Sequence, residues 1–258
     1  MSRADRRVWK TATSVTDLAD LMAQWLEGSI ASWPGYQPGY GPDEETAHLV
    51  PSLAALNRAG FLTVTSQPGE AGTGFDGLWW EQRAAVEGFV TSRALYGRLL
   101  EAADRAGLLV AVHHDDGMHA CGRALPVTLR DGKTYTTFGG RLSRRNMRHI
   151  WPGIRREAFD DLRDAVHLTI AAPEYGPAGE RLWAELDFVT GLRQEDPTNP
   201  WSPVLPQMDD ADTKPRCAVC GCTKNTPYCL GGWSVPSGSM DDLCSACAHN
   251  NQPTSEEN

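Results

Sequence analysis

The sequence predicts an α/β domain, or a mixed α+β domain, followed by a small metal-binding module. Segments with helical and strand-like hydrophobic periodicity mix along residues 13–191. Hydrophobic residues make up 41% of the 258 positions, enough for a sizeable core. Six of the seven Cys residues crowd into 217–247, which indicates the module. We therefore expect an N-terminal tail at 1–12, the main domain at 13–191, a linker at 192–215, a zinc-binding module at 216–249 and a disordered tail at 250–258.

The first two helices follow from apolar spacing and from their end signals. Residues 13–28 repeat apolar side chains at helical intervals, with Ser14 able to cap the start and Gly28 able to close the end. A second helical segment covers 43–60. Pro51 inside it either kinks the helix or marks the true start of a new one.

The remaining elements are read from the same periodicities, with one ambiguous segment, 79–90, that suits either a strand or a helix. An Asp131-Gly132 pair between two β-rich runs predicts a hairpin turn. The expected order is a strand at 61–67, a helix at 92–107, a strand at 108–114, a hairpin at 125–138, a basic helical stretch at 143–165, a strand at 166–172 and a helix at 178–192.

Charge and composition exclude several classes of protein. A net charge of −9 argues against a protein that coats nucleic acid, although a local basic patch is compatible with it. No run of about 18 apolar residues is present, so we expect no membrane span. The N-terminus "MSRADRRVWKTATSV" lacks the apolar region of a signal peptide, which predicts a cytoplasmic protein.

The end of the first strand carries three consecutive polar side chains. In "LNRAGFLTVTSQPG", Thr65, Ser66 and Gln67 precede a Pro-Gly stop. Such groups either bond to the backbone of the turn or converge above an apolar floor to bind a small molecule. The residues themselves leave both interpretations open.

Several segments together resemble a known family. In order, they are "SVTDLADLMAQWLEG", "EETAHLVPSLAALNRAG", the strand "FLTVTSQPG", "EQRAAVEGFVTSRALYGRLLEAADRAGLLVAVHH" and "VHLTIAAPEYGPAGERLWAEL". This succession, from about residue 13 to 190, resembles the C-terminal regulatory domain of eukaryotic methylenetetrahydrofolate reductases. That domain binds S-adenosylmethionine. The family's catalytic barrel, with its flavin and folate sites, has no counterpart here, so the resemblance implies no reductase activity.

The resemblance implies a ligand site for S-adenosylmethionine or S-adenosylhomocysteine, as ligand and not as cofactor. Glu45 would pair with the ligand's ammonium group, and amides at a helix start suit its carboxylate. Residue 65 is Thr where the family has Asn. The residues implied as ligand-binding are Glu45, Thr46, Thr63, Val64, Thr65, Ser66, Gln67, Thr128, and Thr137 or its neighbour Thr136.

The Cys-rich module predicts structural zinc. Cys217-x-x-Cys220 and Cys244-x-x-Cys247 each present two thiolates, and the two pairs complete a tetrahedral Zn²⁺ site. Four thiolates leave no coordination position for water, so the role is structural. Such zinc-ribbon-like units contact protein or nucleic acid, and the pattern does not choose between these partners. The roles of Cys222 and Cys229 stay open.

Two further segments carry chemistry-bearing side chains. "HHDDGMHACGR" could hold a metal, but adjacent residues on a strand point to opposite faces, so its side chains cannot all converge. "RLSRRNMRHIWPGIRR" contains six Arg. On a helix it forms either a basic patch for phosphate or nucleic acid, or a solvated face.

The sequence favours a regulatory or sensor protein for S-adenosylmethionine or a related adenosine compound, with a zinc module for partner contact. A binding role is favoured over an enzymatic one. The first alternative is a nucleic-acid-associated zinc protein that uses the Arg-rich stretch. The second is an enzyme acting on S-adenosylmethionine or another nucleoside, with Glu45 and His113 as acid–base residues.

Overall fold

The computed structural model describes residues 1–113, 120–121, 124–140 and 142–194, with the side chains of 113, 120 and 121 left out. This part of the chain is mixed α+β, with two antiparallel sheets. Of the two fold classes the sequence allowed, the α+β class is the one observed, because each strand pair here runs antiparallel. The linker, Cys-rich module and C-terminal tail expected at 192–258 lie almost wholly outside the described residues.

The described residues contain seven α-helices and two short 3₁₀ helices. The α-helices are α1 Arg3–Trp9, α2 Val15–Leu26, α3 Val50–Arg58, α4 Arg93–Arg105, α5 Arg144–Ile150, α6 Arg156–Asp164 and α7 Arg181–Thr190. Short 3₁₀ helices cover Glu44–Leu49 and Gly176–Glu180. Within the described ranges, no helix combines the length and apolar character needed to cross a bilayer.

The strands form a five-stranded and a four-stranded sheet. They are β1 Phe61–Gln67, β2 Ala71–Thr73, β3 Trp79–Gln82, β4 Ala85–Val90, β5 Leu109–His113, β6 Ala120–Cys121, β7 Leu125–Arg130, β8 Lys133–Phe138 and β9 Val166–Ala171. The first sheet has the order β1-β4-β9-β5-β6 and the second β2-β3-β7-β8. The segment that was ambiguous in sequence therefore contains two strands, one in each sheet.

Local sequence signals explain several element boundaries. Ser14 and Asp17 form a reciprocal capping box at the start of α2. Pro51 lies in the first turn of α3, directly after a 3₁₀ helix, so it marks the start of a new helix. Asp131 and Gly132 have φ values of 50° and 71°, as a two-residue hairpin turn between β7 and β8 requires.

The N-terminus differs from the expected tail. Residues 3–9 form α1, whose first turn is capped by the Ser2 hydroxyl accepting from the Asp5 amide at 3.0 Å. Trp9 is only 1% exposed, and its indole N–H donates to the Ser32 carbonyl at 2.8 Å. A helix this short has too little periodicity to be recognised in sequence, and it packs onto the core through Trp9 and Val8.

Side-chain alternation along β4 separates two core clusters. Val86 and Val90 belong to the large cluster, together with residues of the helices. Ala85 points the other way and packs with Leu125 and Val127 of β7, in the smaller cluster between the sheets. The side of the first sheet that carries Ala85 therefore faces the second sheet.

A buried amide fixes the connection from α3 to β1. Asn57 is 1% exposed, and its amide group donates to the Leu53 carbonyl at 2.8 Å and to the Thr63 hydroxyl at 2.7 Å. Its side-chain oxygen accepts from the Thr63 backbone N–H at 3.1 Å. The strand register shifts between Thr63 and Thr65, just beyond this clamp. Asn57 therefore positions the irregular part of β1.

We predict that Asn57→Ala lowers the free energy of unfolding by about 2–3 kcal/mol, because it leaves the buried Thr63 N–H and hydroxyl without their partner. Urea unfolding measures the change. Asn146→Ala, at an exposed position of α5, is the matched control and should change stability by less than about 0.5 kcal/mol. Equal stability of the two variants would contradict a clamping role for Asn57.

Candidate ligand-binding site

A cavity of about 320 Å³ lies beside the irregular part of β1. Its walls come from α2, from the segment that joins α2 to α3, from β1 and β4, and from the end of α5. We call this space the ligand cavity. The residues that line it come from segments that are distant in sequence, so only the folded chain brings them together.

Aromatic side chains form one wall of the ligand cavity. Trp25 of α2 lies against Trp33 with ring centroids 5.5 Å apart, and Trp33 stacks on Tyr36 at 6.1 Å. The Tyr36 hydroxyl donates to the Asp43 carboxylate at 2.7 Å, and this hydrogen bond raises the pKa of Tyr36. The ring faces are therefore held in place by mutual packing and by one charged acceptor.

The end of β1 supplies polar residues to the lining of the ligand cavity. Thr63, Val64, Thr65 and Ser66 all line the ligand cavity. Thr65 pairs with Glu87 across the sheet, one residue after the register shift. The hydroxyls of Thr65 and Ser66 are half-buried and have no hydrogen-bond partner in the described part of the chain. They are therefore free to bond a ligand.

A buried carboxylate lies at the side of the ligand cavity formed by β4. Glu87 is 6% exposed and accepts from the Thr169 hydroxyl at 3.0 Å and from the Gly139 backbone N–H. The His167 Nε2 atom lies 3.0 Å from its other oxygen. Burial alone raises the pKa of Glu87, but the contacts with His167, Gly139 and Thr169 outweigh it and hold this pKa below its ordinary value.

Glycine is required at position 139 for this contact. Gly139 has φ +77°, and a Cβ added there would lie 2.9 Å from the Ala111 Cβ. A side chain there would clash with Ala111 and strain the backbone, so glycine suits the conformation in which the amide reaches Glu87. The turn that leads from β8 to α5 is thereby fixed onto the first sheet.

Apart from Glu45, the residues implied as ligand-binding divide into two groups. The first group lines the ligand cavity and comprises Thr46, Thr63, Val64, Thr65 and Ser66. Within it, Thr46 already donates its hydroxyl to the Asp43 carbonyl at 2.8 Å. The Thr63 hydroxyl accepts a hydrogen bond from Asn57. The two hydroxyls of this group without a partner in the described residues are therefore those of Thr65 and Ser66.

The second group lies at the junction of the two sheets. The Gln67 amide donates to the Thr128 hydroxyl at 2.8 Å, and Thr136 donates to the same hydroxyl at 2.6 Å. Thr137 is exposed and pairs with Pro126 across the hairpin. Of the two threonines considered on β8, Thr136 is therefore the one that joins the polar cluster.

Glu45 lies outside the wall of the ligand cavity. Its side chain is exposed and lies near that of Gln82 on β3. Partial burial, followed by the nearby carboxylates of Glu70 and Asp43, raises the pKa of Glu45. Asp43 lines the cavity itself, so an acidic group extends from the cavity edge towards Glu45.

Sequence reasoning missed Glu87, Trp33 and Tyr36. A glutamate inside the apolar run "AAVEGFV" was a signal for Glu87, because a charge in a buried strand needs partners. The aromatic residues lie in and beside a Pro- and Gly-rich loop without periodicity, so sequence gave no direction for their side chains.

The expected metal sites lie outside the described residues. Cys217, Cys220, Cys244 and Cys247 all fall there, as do Cys222 and Cys229 and most of the "HHDDGMHACGR" stretch. Among the side chains that the structure describes, no group of three His, Cys, Asp or Glu could hold a metal ion.

We predict that Glu87→Gln destabilises the protein by about 2–4 kcal/mol at neutral pH and by less in acid. The folded pKa of Glu87 lies below its ordinary value of 4.5, so its stabilising contribution is present above pH 4.5 and is lost as pH falls through the folded pKa. Urea unfolding between pH 7 and about pH 3 measures the difference. The exposed Glu44→Gln is the control; a Glu87→Gln effect as flat with pH as that of Glu44→Gln would contradict the assignment.

Comparison with known proteins identifies the family of the main domain. A search of curated proteins found no match. A family model described as a domain of unknown function, DUF6919, matches residues 4–191. The match includes all of α1 except Arg3, both sheets and every residue of the ligand cavity. The chain therefore belongs to the DUF6919 family.

Proposed function

We propose that the domain is a small-molecule-binding regulatory or sensor module whose ligand is S-adenosylmethionine or a related adenosine compound. The observation that carries this proposal is the ligand cavity, which is lined both by Thr65 and Ser66, whose hydroxyls have no partner in the described residues, and by the aromatic residues Trp25, Trp33 and Tyr36. The resemblance of its lining strand to the S-adenosylmethionine-binding domain of methylenetetrahydrofolate reductases names the ligand class.

The size and lining of the cavity support a nucleoside-sized ligand. About 320 Å³ lies at the small end of ligand pockets, which span roughly 300–1,000 Å³. The half-buried ring of Tyr36, which packs on Trp33, can stack with a purine and also attract a sulfonium or ammonium cation. The hydroxyls of Thr65 and Ser66 suit the ribose and the polar edge of the base.

The charge around the cavity edge supports a ligand with a cationic group. The carboxylates of Glu70 and Asp43 lie near Glu45, and their negative charge raises the pKa of Glu45. A ligand ammonium placed among them would relieve this repulsion, whereas a phosphate would increase it. Glu45 would then contribute from the cavity edge and not from its wall.

The state of Glu87 supports binding without catalysis. A general base works best when its pKa lies near the working pH, but the pKa of Glu87 is held below its ordinary value by three partners. The carboxylate inside the cavity is thus better suited to orient a ligand than to take a proton.

The proposal includes a structural zinc ion bound by Cys217, Cys220, Cys244 and Cys247, in a zinc-ribbon-like module that contacts a protein or nucleic-acid partner. The support is the spacing of the two Cys pairs. We expect one zinc per chain by elemental analysis of the purified protein, and its loss in Cys217→Ser and Cys244→Ser. Full zinc content in both variants would contradict this ligand set; Cys222→Ser and Cys229→Ser compare the two remaining thiols.

The proposed ligand is tested by isothermal titration calorimetry with S-adenosylmethionine and S-adenosylhomocysteine. We expect saturable binding, weakened about 2- to 10-fold by Thr65→Ala and by Ser66→Ala, since each loses one hydrogen bond. Analysis of the solution afterwards should show intact ligand.

Thr134→Ala, which removes an exposed hydroxyl on β8, is the control and should bind like the unchanged protein. Absence of heat with both ligands would refute the ligand class. Binding that is equal in Ser66→Ala, Thr65→Ala and Thr134→Ala would refute the cavity as the site. Breakdown products would establish an enzyme in place of a sensor.

A further inference from the structure

The Arg-rich stretch folds into two short helices that face one groove. Residues 151–153 are not helical and form the connection between α5 and α6. A groove of about 740 Å³ lies along this connection. Four arginines from the two helices line it, namely Arg144, Arg148, Arg156 and Arg163. We call this the arginine groove.

The positive charge of the arginine groove is only partly neutralised. Asp160 lines the groove and lies 3.4 Å from Arg156 and 3.1 Å from Arg163. Arg144 and Arg148 are exposed and have no carboxylate partner among the residues that the structure describes. Arg148 stacks over the Phe159 ring at 5.1 Å, which orients the guanidinium and leaves its N–H edge available.

A second basic groove adjoins the first. A groove of about 460 Å³ is lined by Arg6, Trp9 and Lys10 of the N-terminal segment, and it shares Pro152 and Gly153 with the arginine groove. We call it the N-terminal groove. The contact of Trp9 with Trp151, at 5.7 Å between ring centroids, holds α1 against the connection between α5 and α6. The two grooves therefore adjoin at Pro152 and Gly153, and six basic residues line them in total.

The charge of this surface runs against that of the chain. Positions 1–10 hold four Lys or Arg against one Asp, and positions 143–164 hold six Arg against four Asp or Glu, so both segments are net positive in a protein with a net charge of −9. Because the rest of the chain repels polyanions, such a local concentration of cations indicates a partner that carries closely spaced negative charges.

We propose that the arginine groove and the N-terminal groove together bind the phosphate backbone of duplex nucleic acid, independently of its sequence. Guanidinium groups pair with phosphate oxygens in a bidentate way, and a surface of cations spread over two grooves matches successive phosphates better than one small anion. This partner goes beyond the proposed small-molecule function and is independent of it.

The lining of the grooves distinguishes this partner from two others. Single-strand binders stack bases on exposed aromatic rings, but Trp9 and Trp151 are 1% exposed and Phe159 is 8% exposed. Membrane-surface helices insert exposed apolar side chains beside their basic residues. The strongly exposed large hydrophobic side chains in the described ranges, Tyr40, Phe75, Trp79, Tyr135 and Leu192, line neither groove.

The test is fluorescence anisotropy of the full chain with a labelled DNA duplex of about 16 base pairs, titrated at several salt concentrations. We expect log Kd to rise linearly with log salt, with a slope of about 0.9 per phosphate contacted. In the Arg144→Gln/Arg148→Gln double variant the slope should fall by about 2, with affinity about tenfold weaker at low salt. An RNA duplex of the same sequence decides which duplex is preferred.

The matched control is Arg93→Gln/Lys133→Gln, which removes the same charge from exposed positions outside both grooves. It should keep the slope of the unchanged protein, and circular dichroism should show both variants folded. The proposal is overturned if no duplex binds in a salt-dependent way, or if the two double variants behave alike. It is also overturned if the single strand binds more tightly than the duplex, or if only vesicles of anionic phospholipid bind.

Discussion

The buried carboxylate of Glu87 is the constraint on which the described structure depends. An ionised side chain can occupy the middle of β4 only because Thr169, His167 and the Gly139 N–H offset its loss of water. These contacts join β4 to β9 and fix the turn after β8 onto the same sheet. Gly139 and Glu87 therefore depend on each other: the Gly139 N–H is one of the donors that the buried carboxylate needs, and the carboxylate holds the turn that contains Gly139.

This arrangement also brings the ligand cavity and the basic surface together. Glu87 lines the cavity, and the turn it holds leads directly into α5. Ile150, at the end of α5, lines the cavity as well, while its neighbour Trp151 lines the arginine groove. Trp151 in turn contacts Trp33 of the cavity wall, with ring centroids 5.6 Å apart. Both sites thus share one packed layer of tryptophans.

Most elements with strong periodicity could be predicted from the sequence, and most of the cavity could not. Capping at Ser14, the turn at Asp131-Gly132 and the strand 61–67 follow local rules, so local sequence was enough. The antiparallel pairing of distant strands is set by packing between segments, so the sequence of a single strand does not indicate its partner. For the same reason the polar run of β1 indicated a site, whereas the aromatic wall could only be seen once the loop was folded.

The separation of charge around the shared tryptophan layer has a consequence for selectivity. Asp43, Glu45 and Glu70 lie near one another at the cavity edge, while arginines of α5 and α6 line the groove that Trp151 also lines. A cationic metabolite is attracted to the first region and repelled by the second, and a polyanion shows the opposite preference. Because each region repels the partner proposed for the other, the two proposed partners would not compete for one surface.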